Sequence, residues 1–120
     1  MDEYKLGTVE SRFADIVWSH EPLHSRELVL LCQQQLNWKK PTTYTVLRKL
    51  CDRGIFQNTD GIVTSLLSRQ EFYARQSEQF VADAFGGSLP AFLAAFTTRK
   101  ALSPKEVEEI RKMIASYGGE

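Results

Sequence analysis

Residues 37–61 contain the side chains whose types and spacing are best suited to binding a ligand, and the ligand they suit is DNA. Between positions 39 and 53, five basic residues stand against one acidic residue, Asp52, so this stretch has a local charge of +4. Lysine and arginine attract phosphate, while threonine and tyrosine hydroxyls reach phosphates or base edges. We expect DNA to be bound by Lys39, Lys40, Thr42, Tyr44, Thr45, Arg48, Lys49 and Arg53.

One helix, at about residues 41–53, is predicted to position these side chains. Its apolar stripe follows the i, i+3, i+4, i+7 spacing of a helix face and consists of Thr43, Val46, Leu47 and Leu50. Pro41 suits the first turn of a helix, and Gly54 suits the position after its last turn. The polar and basic residues are therefore left on the outer face.

Two helices before this one and a hairpin after it complete a DNA-binding architecture. Thr8 is expected to cap a helix that runs to about Ser19, residues 20–23 form a connector, and Ser25 is expected to cap a second helix. Asp60-Gly61 predicts a two-residue turn between strands at 55–59 and 62–67. The prediction is a mainly α fold, a winged helix-turn-helix with a small β-hairpin wing, over residues 1–67.

The remaining residues, 68–120, are predicted to form a three-helix dimerisation region. Ser68–Glu71 and Ser103–Glu106 have the spacing of capping boxes, and Gly86-Gly87 breaks the chain between helices. Three short helices can hardly bury their large apolar side chains alone, so we expect a homodimer. The alternative is that these faces fold back over the N-terminal domain. The expected dimer residues are Phe72, Tyr73, Phe80, Phe92, Leu93, Phe96, Ile110, Ile114 and Tyr117.

Composition gives little support to other classes of function. His20 and His24 flank a loop without a nearby cysteine, and the chain has no glycine-rich phosphate loop, so an enzyme is not expected. Cys32 and Cys51 stand nineteen positions apart on apolar helix faces, which favours buried thiols over a metal or redox site. The fifteen basic and fifteen acidic residues of the 120-residue chain balance, which argues against indiscriminate nucleic-acid binding.

Nothing in the sequence predicts export or membrane insertion. The chain starts with acidic residues where a secretion signal would be basic, and no apolar run approaches the roughly 20 residues that span a bilayer. We therefore expect a cytoplasmic protein with no cofactor.

The order and spacing of several segments resemble the penicillinase-repressor family of winged-helix regulators (BlaI, MecI and CopY). The likeness covers nearly the whole chain. The matching segments are LGTVE at 6–10, IVW at 16–18, SREL at 25–28, Trp38, residues 42–54, and LSPKEVEEI at 102–110. In the family, the helix at 42–54 has the form T-x-x-T-x-L-x-R-L followed by K-G.

This resemblance implies a homodimeric repressor that binds a pseudo-palindromic operator, with one winged domain on each half-site. It also implies a way in which repression is relieved. In the beta-lactam branch a membrane sensor-peptidase triggers cleavage of the repressor in its dimerisation domain, and in the copper branch metal binds at C-terminal cysteines. The alternative, from the residues alone, is a winged-helix module that binds protein and not DNA.

Three departures from the family separate this chain from its relatives. Ala95-Phe96 stands where the beta-lactam repressors are cut at an Asn-Phe bond, and the end of the chain, residues 115–120, has no cysteines. The wing, residues 57–64, contains no lysine or arginine, where family wings are usually basic. We therefore expect the contact with phosphate to shift toward the helix at 41–53.

Overall fold

A computed structural model describes residues 4–117. The acidic residues at the start of the chain and residues 118–120 of its cysteine-free end lie outside the described residues. The described chain confirms the predicted fold class, a winged helix followed by C-terminal helices. Its elements are α1 (Thr8–His20), β1 (Leu23–His24), α2 (Ser25–Leu36), α3 (Lys40–Asp52), β2 (Phe56–Thr59), β3 (Ile62–Ser65), α4 (Arg69–Phe85), α5 (Leu89–Arg99) and α6 (Pro104–Tyr117).

The strands form one antiparallel sheet in the order β1-β3-β2. Strands β2 and β3 are the predicted hairpin, and Asp60 and Gly61 at its turn have φ angles of 52° and 87°. Strand β1 was not predicted, because Leu23 was assigned to a connector and His24 to the flank of a loop. It pairs Leu23 with Val63 of β3. Two residues are too few to show an alternating pattern, so only the partner strand reveals β1.

Helix α1 begins one residue earlier than predicted. Its N-cap is Gly7 and not Thr8, and the Gly7 N–H donates to Oε1 of Glu10 at 3.2 Å. A glutamate at the third helical position thus satisfies a backbone donor that the helix itself leaves without a partner. Glu10 is consequently held near the start of α1.

Helix α2 also has a different cap from the one predicted. His24, and not Ser25, is the N-cap; its Nδ1 accepts a hydrogen bond from the Arg26 N–H at 3.1 Å. Oε1 of Glu27 accepts from the His24 N–H at 3.0 Å, which completes the capping box. The wing reinforces this start, since the Ser25 N–H donates to the Gly61 carbonyl at 2.7 Å.

The core of the N-terminal unit draws side chains from every element up to the first turns of α4. Trp18 lies at its edge, where its Nε1 donates to the Leu67 carbonyl at 2.9 Å and its ring packs against Phe56 and Phe72. The fully buried side chains of largest volume are Phe13, Phe56, Phe72, Leu28, Leu50, Ile55, Val17, Val63, Thr43 and Cys32. Helix α3 thus packs against α2 and the β2 strand of the sheet through its buried stripe.

The division of the chain lies within α4 and not before it. The sequence placed the change of domain at 67/68, whereas the compact units separate between Gln79 and Phe80. The cause is Phe72, which was expected at a dimer interface. It is fully buried beside Trp18, and Tyr73 is half-buried against both rings. These two aromatic residues therefore belong to the winged-helix unit.

The C-terminal unit, from Phe80 onward, leaves much apolar surface exposed. Phe85 and Phe92 contact each other edge to face, with ring centroids 5.6 Å apart, and Phe80 packs on both rings. No residue of α5 or α6 is fully buried. The fold of this unit alone therefore does not cover its helices.

Among the described residues, no single helix has both the length and the hydropathy of a membrane span, and only α4 and α5 together, bent by 83°, meet that test.

We predict that Gly61→Ala destabilises the N-terminal unit more than Gly54→Ala does. Both glycines have positive φ angles, 87° and 80°, so either alanine is strained. A Cβ at position 61 would also lie 2.7 Å from Nε2 of His24, whereas position 54 has open space. Gly61→Ala should therefore lower the free energy of unfolding, measured in urea, by about 1–3 kcal/mol more than Gly54→Ala does. Equal losses would contradict the contact between the wing and His24.

Candidate nucleic-acid interface

The outer face of α3 carries the predicted DNA-binding residues in a definite order along the helix. Thr43, Leu47 and Leu50 are buried, so the side chains of Thr42 and Thr45 point away from the core and are exposed. The helix begins at Lys40, within one residue of the prediction. Two threonines one turn apart on a free helix face can offer methyl groups and hydroxyls to a groove.

The N-terminal end of α3 is positively charged without compensation. Lys39 is the N-cap and Lys40 the first helical residue; both are exposed, and their side chains form no ion pair with any described residue. No acidic residue stands in the first turn. Two free ammonium groups and the positive end of the helix dipole make this end of α3 suitable for an anion.

The side of α3 next to the wing forms a shallow groove. Tyr44 and Arg48 line it together with Leu47, Cys51 and Asn58 of β2. Arg48 is exposed, and its guanidinium has no hydrogen bond within the part of the chain that the structure describes. A free guanidinium between a helix and a strand can enter a DNA groove or bind its phosphate edge.

Tyr44 has a structural role in addition to its place in the groove. It is half-buried, and its hydroxyl donates to Oγ of Ser25 at 3.1 Å, which joins α3 to the start of α2. This contact brings Arg26 to the same region, with its side chain exposed and unpaired among the described residues. Sequence reasoning missed Arg26 because it lies outside the basic stretch.

The C-terminal end of α3 differs, because its cations already have partners. Nζ of Lys49 donates to Oε2 of Glu10 in α1 at 2.7 Å. A guanidinium N–H of Arg53 donates to the Lys5 carbonyl at 3.0 Å. The hydrogen bond from Lys49 lowers the pKa of Glu10, and partial burial of the carboxyl opposes this with a smaller effect. Sequence reasoning did not connect Glu10 with this surface.

The wing contributes polar groups without positive charge. Gln57 donates to the Thr64 hydroxyl at 3.2 Å across β2 and β3, and Asp60 lies at the turn. Asn58 is exposed, and Ile62 is 42 % exposed. Amide and hydroxyl groups can accept or donate single hydrogen bonds to a DNA backbone, but they supply no long-range attraction.

The cysteines do not form a reactive site. Cys32 is buried and Cys51 half-buried, and each is a free thiol. Burial raises the pKa of both thiols, so the unreactive protonated form dominates at neutral pH. Within residues 4–117, no group of three or more His, Cys, Asp or Glu side chains is placed to hold a metal ion.

Comparison with known proteins identifies relatives over almost the full length of the chain. A family model described as "Penicillinase repressor" matches residues 6–116. "Methicillin resistance regulatory protein MecI" of Staphylococcus aureus (strain Mu50 / ATCC 700699) is 23% identical over 115 residues, which cover 92% of this chain and 94% of the relative. Proteins of the same name from Mammaliicoccus sciuri and Staphylococcus epidermidis are 22% identical with the same coverage.

We predict that Lys49→Met raises the pKa of Glu10 toward its usual range, because the variant removes the donor that stabilises the carboxylate. Carboxyl chemical shifts followed by NMR against pH would measure this change. Because the folded-state pKa is lowered, the pair stabilises the fold at neutral pH, and this contribution is lost as the pH falls through that lowered value. Lys39→Met is the control, since Lys39 has no carboxylate partner among the described residues. An unchanged Glu10 titration in Lys49→Met would contradict the contact.

Proposed function

The chain belongs to the penicillinase repressor family, and from this membership and the surface of α3 we propose that it is a transcriptional repressor that binds double-stranded DNA as a homodimer. Its relatives are named as regulatory proteins of methicillin resistance. Control of a resistance gene is therefore the role we propose for this chain as well.

The observation that carries the proposal is the uncompensated positive charge at the start of α3 and at Arg48 on its exposed side. Lys39, Lys40 and Arg48 are exposed and lack partners among the described residues, and Thr42 and Thr45 between them are also exposed. In helix-turn-helix proteins, residues near the N-terminus of the second helix of the motif contact base edges in the major groove. The free groups of α3 are concentrated at that end of the helix.

The contacts we propose divide into two kinds. Thr42 and Thr45 face the bases, because they occupy the middle of the exposed surface. Lys39, Lys40 and Arg26 bind phosphates on the flanks, and Arg48 lies between the helix and the wing. Phosphate contacts set the register of the protein on the duplex and its affinity for DNA, whereas sequence preference comes from the groups that reach base edges. The uncharged wing adds only short-range hydrogen bonds.

The C-terminal unit supplies the proposed dimer contact. On α6 the stripe that contains Val107, Ile110, Ile114 and Tyr117 is left largely uncovered by the described residues: Ile114 is 63% exposed and Tyr117 80%. Phe80 and Phe96 add exposed rings from α4 and α5. A two-fold dimer would cover these apolar groups with identical ones. It would also present two α3 helices to two half-sites of a pseudo-palindromic operator.

We predict that selection from a random duplex pool enriches a two-fold symmetric sequence, and that Arg48→Ala binds this duplex more weakly. Loss of one phosphate contact should reduce the slope of log affinity against log salt by about one unit. Gel shifts at several salt concentrations measure both quantities, with Arg99→Ala in α5 as the control. Failure to enrich any sequence would favour the alternative function, a winged-helix module that binds protein.

We predict that Ile114→Asp converts the dimer to a monomer and weakens operator binding, because a buried carboxylate without a partner is expensive at an apolar interface. Ala115→Asp is the matched control, since it places the same charge on the neighbouring position, away from the apolar stripe. Sedimentation equilibrium gives the association state of each variant. A dimer retained by Ile114→Asp would contradict the assignment of α6 to the interface.

A further inference from the structure

We propose that Glu10 competes with DNA phosphate for Lys49 and thereby limits the strength with which α3 binds DNA. This inference rests on the proposed function, and it assigns to that site a positioning residue outside the recognition helix. Glu10 belongs to α1 and precedes Lys49 by thirty-nine positions in the chain. Their contact exists only because α1 and the end of α3 pack on the same core.

The carboxylate of Glu10 is held in place before any ligand arrives. Its Oε1 accepts from the Gly7 N–H at 3.2 Å, and its Oε2 accepts from Lys49 at 2.7 Å. The Glu10 side chain is only 22% exposed. An acceptor fixed in this way needs little ordering to bind an ammonium group, so it is an effective rival to a phosphate from solvent.

Lys49 itself is placed where DNA would approach. It follows Thr45 by one helical turn on the exposed face of α3, and its side chain is 58% exposed. Carboxylate and phosphate oxygens use the same ammonium donors. A phosphate beside Thr45 would therefore bind Lys49 only by displacing Glu10 or by sharing the ammonium with it.

The surroundings strengthen the competition. Arg53, one turn further along α3, donates to the Lys5 carbonyl, so it also is held against the segment that leads into α1. Asp52, which lies between Lys49 and Arg53 in the chain, is exposed and adds a second negative charge near them. The three free cations Lys39, Lys40 and Arg48 have no such neighbour among the described residues. The affinity of α3 for DNA should thus be lower than its count of basic residues indicates.

The test is Glu10→Gln, a change that removes the charge and keeps an oxygen for the Gly7 N–H. Gel shifts on the selected duplex should show affinity increased about two- to five-fold at low salt, the range of an exposed ion pair. The slope of log affinity against log salt should steepen by roughly one unit, because Lys49 then neutralises a phosphate. Glu71→Gln is the matched control: it makes the same change in net charge and removes a comparable exposed pair with Arg75, at 2.8 Å in α4.

The same substitution in a Lys49→Ala background separates competition from general repulsion. If Glu10 acts through Lys49, Glu10→Gln should increase affinity in the parent and leave Lys49→Ala almost unchanged. Three results would overturn the competition and leave the proposed function intact. They are an equal increase in affinity in both backgrounds, an equal increase in affinity with Glu71→Gln, and no increase in affinity in the parent. Failure of the parent chain to bind any duplex at low salt would overturn the proposed function together with it.

Discussion

The indole of Trp18 joins elements that are far apart in the sequence, and the winged-helix unit depends on its burial. Its ring lies between Phe56 of β2 and Phe72 of α4, with centroids 5.5 and 5.6 Å away, and its N–H donates to Leu67. A buried N–H without an acceptor would cost about 1–3 kcal/mol, so the segment between β3 and α4 has to pass close to this ring. Arg69 covers the outer side, 5.8 Å from the ring centroid. The first turns of α4 are consequently part of the core against which α3 is held.

The placement of α3 on this core gives the helix two ends with different electrostatics. Its start faces solvent with Lys39 and Lys40 free among the described residues. Its end has acceptors in and before α1, Glu10 for Lys49 and the Lys5 carbonyl for Arg53. A helix dipole adds positive potential at the start and negative potential at the end. Packing and dipole therefore act in the same direction, and both concentrate attraction for phosphate on the first two turns.

The two units of the chain meet the requirement of apolar burial differently. The N-terminal unit covers its large side chains internally, as the fully buried Phe13 and Phe56 illustrate. The C-terminal unit clusters its phenylalanines around the break at Gly86-Gly87 but leaves Ile114 and Tyr117 largely exposed. Such a division agrees with the proposed function, in which the first unit binds DNA and the second unit is completed by a copy of itself.

The sequence by itself determined the local features of this protein: the limits of the helices to within a residue or two, the Asp60-Gly61 turn, the basic outer face of α3 and the family. These follow from periodicity, capping and turn chemistry, which involve residues close together in the chain. The tertiary structure alone decided which of those side chains are free. Lys49 and Lys39 look alike in sequence, yet only Lys49 meets Glu10, and Phe72 looks like an interface residue until Trp18 buries it. Such contacts join residues dozens of positions apart, and they arise only when separate elements pack on one core.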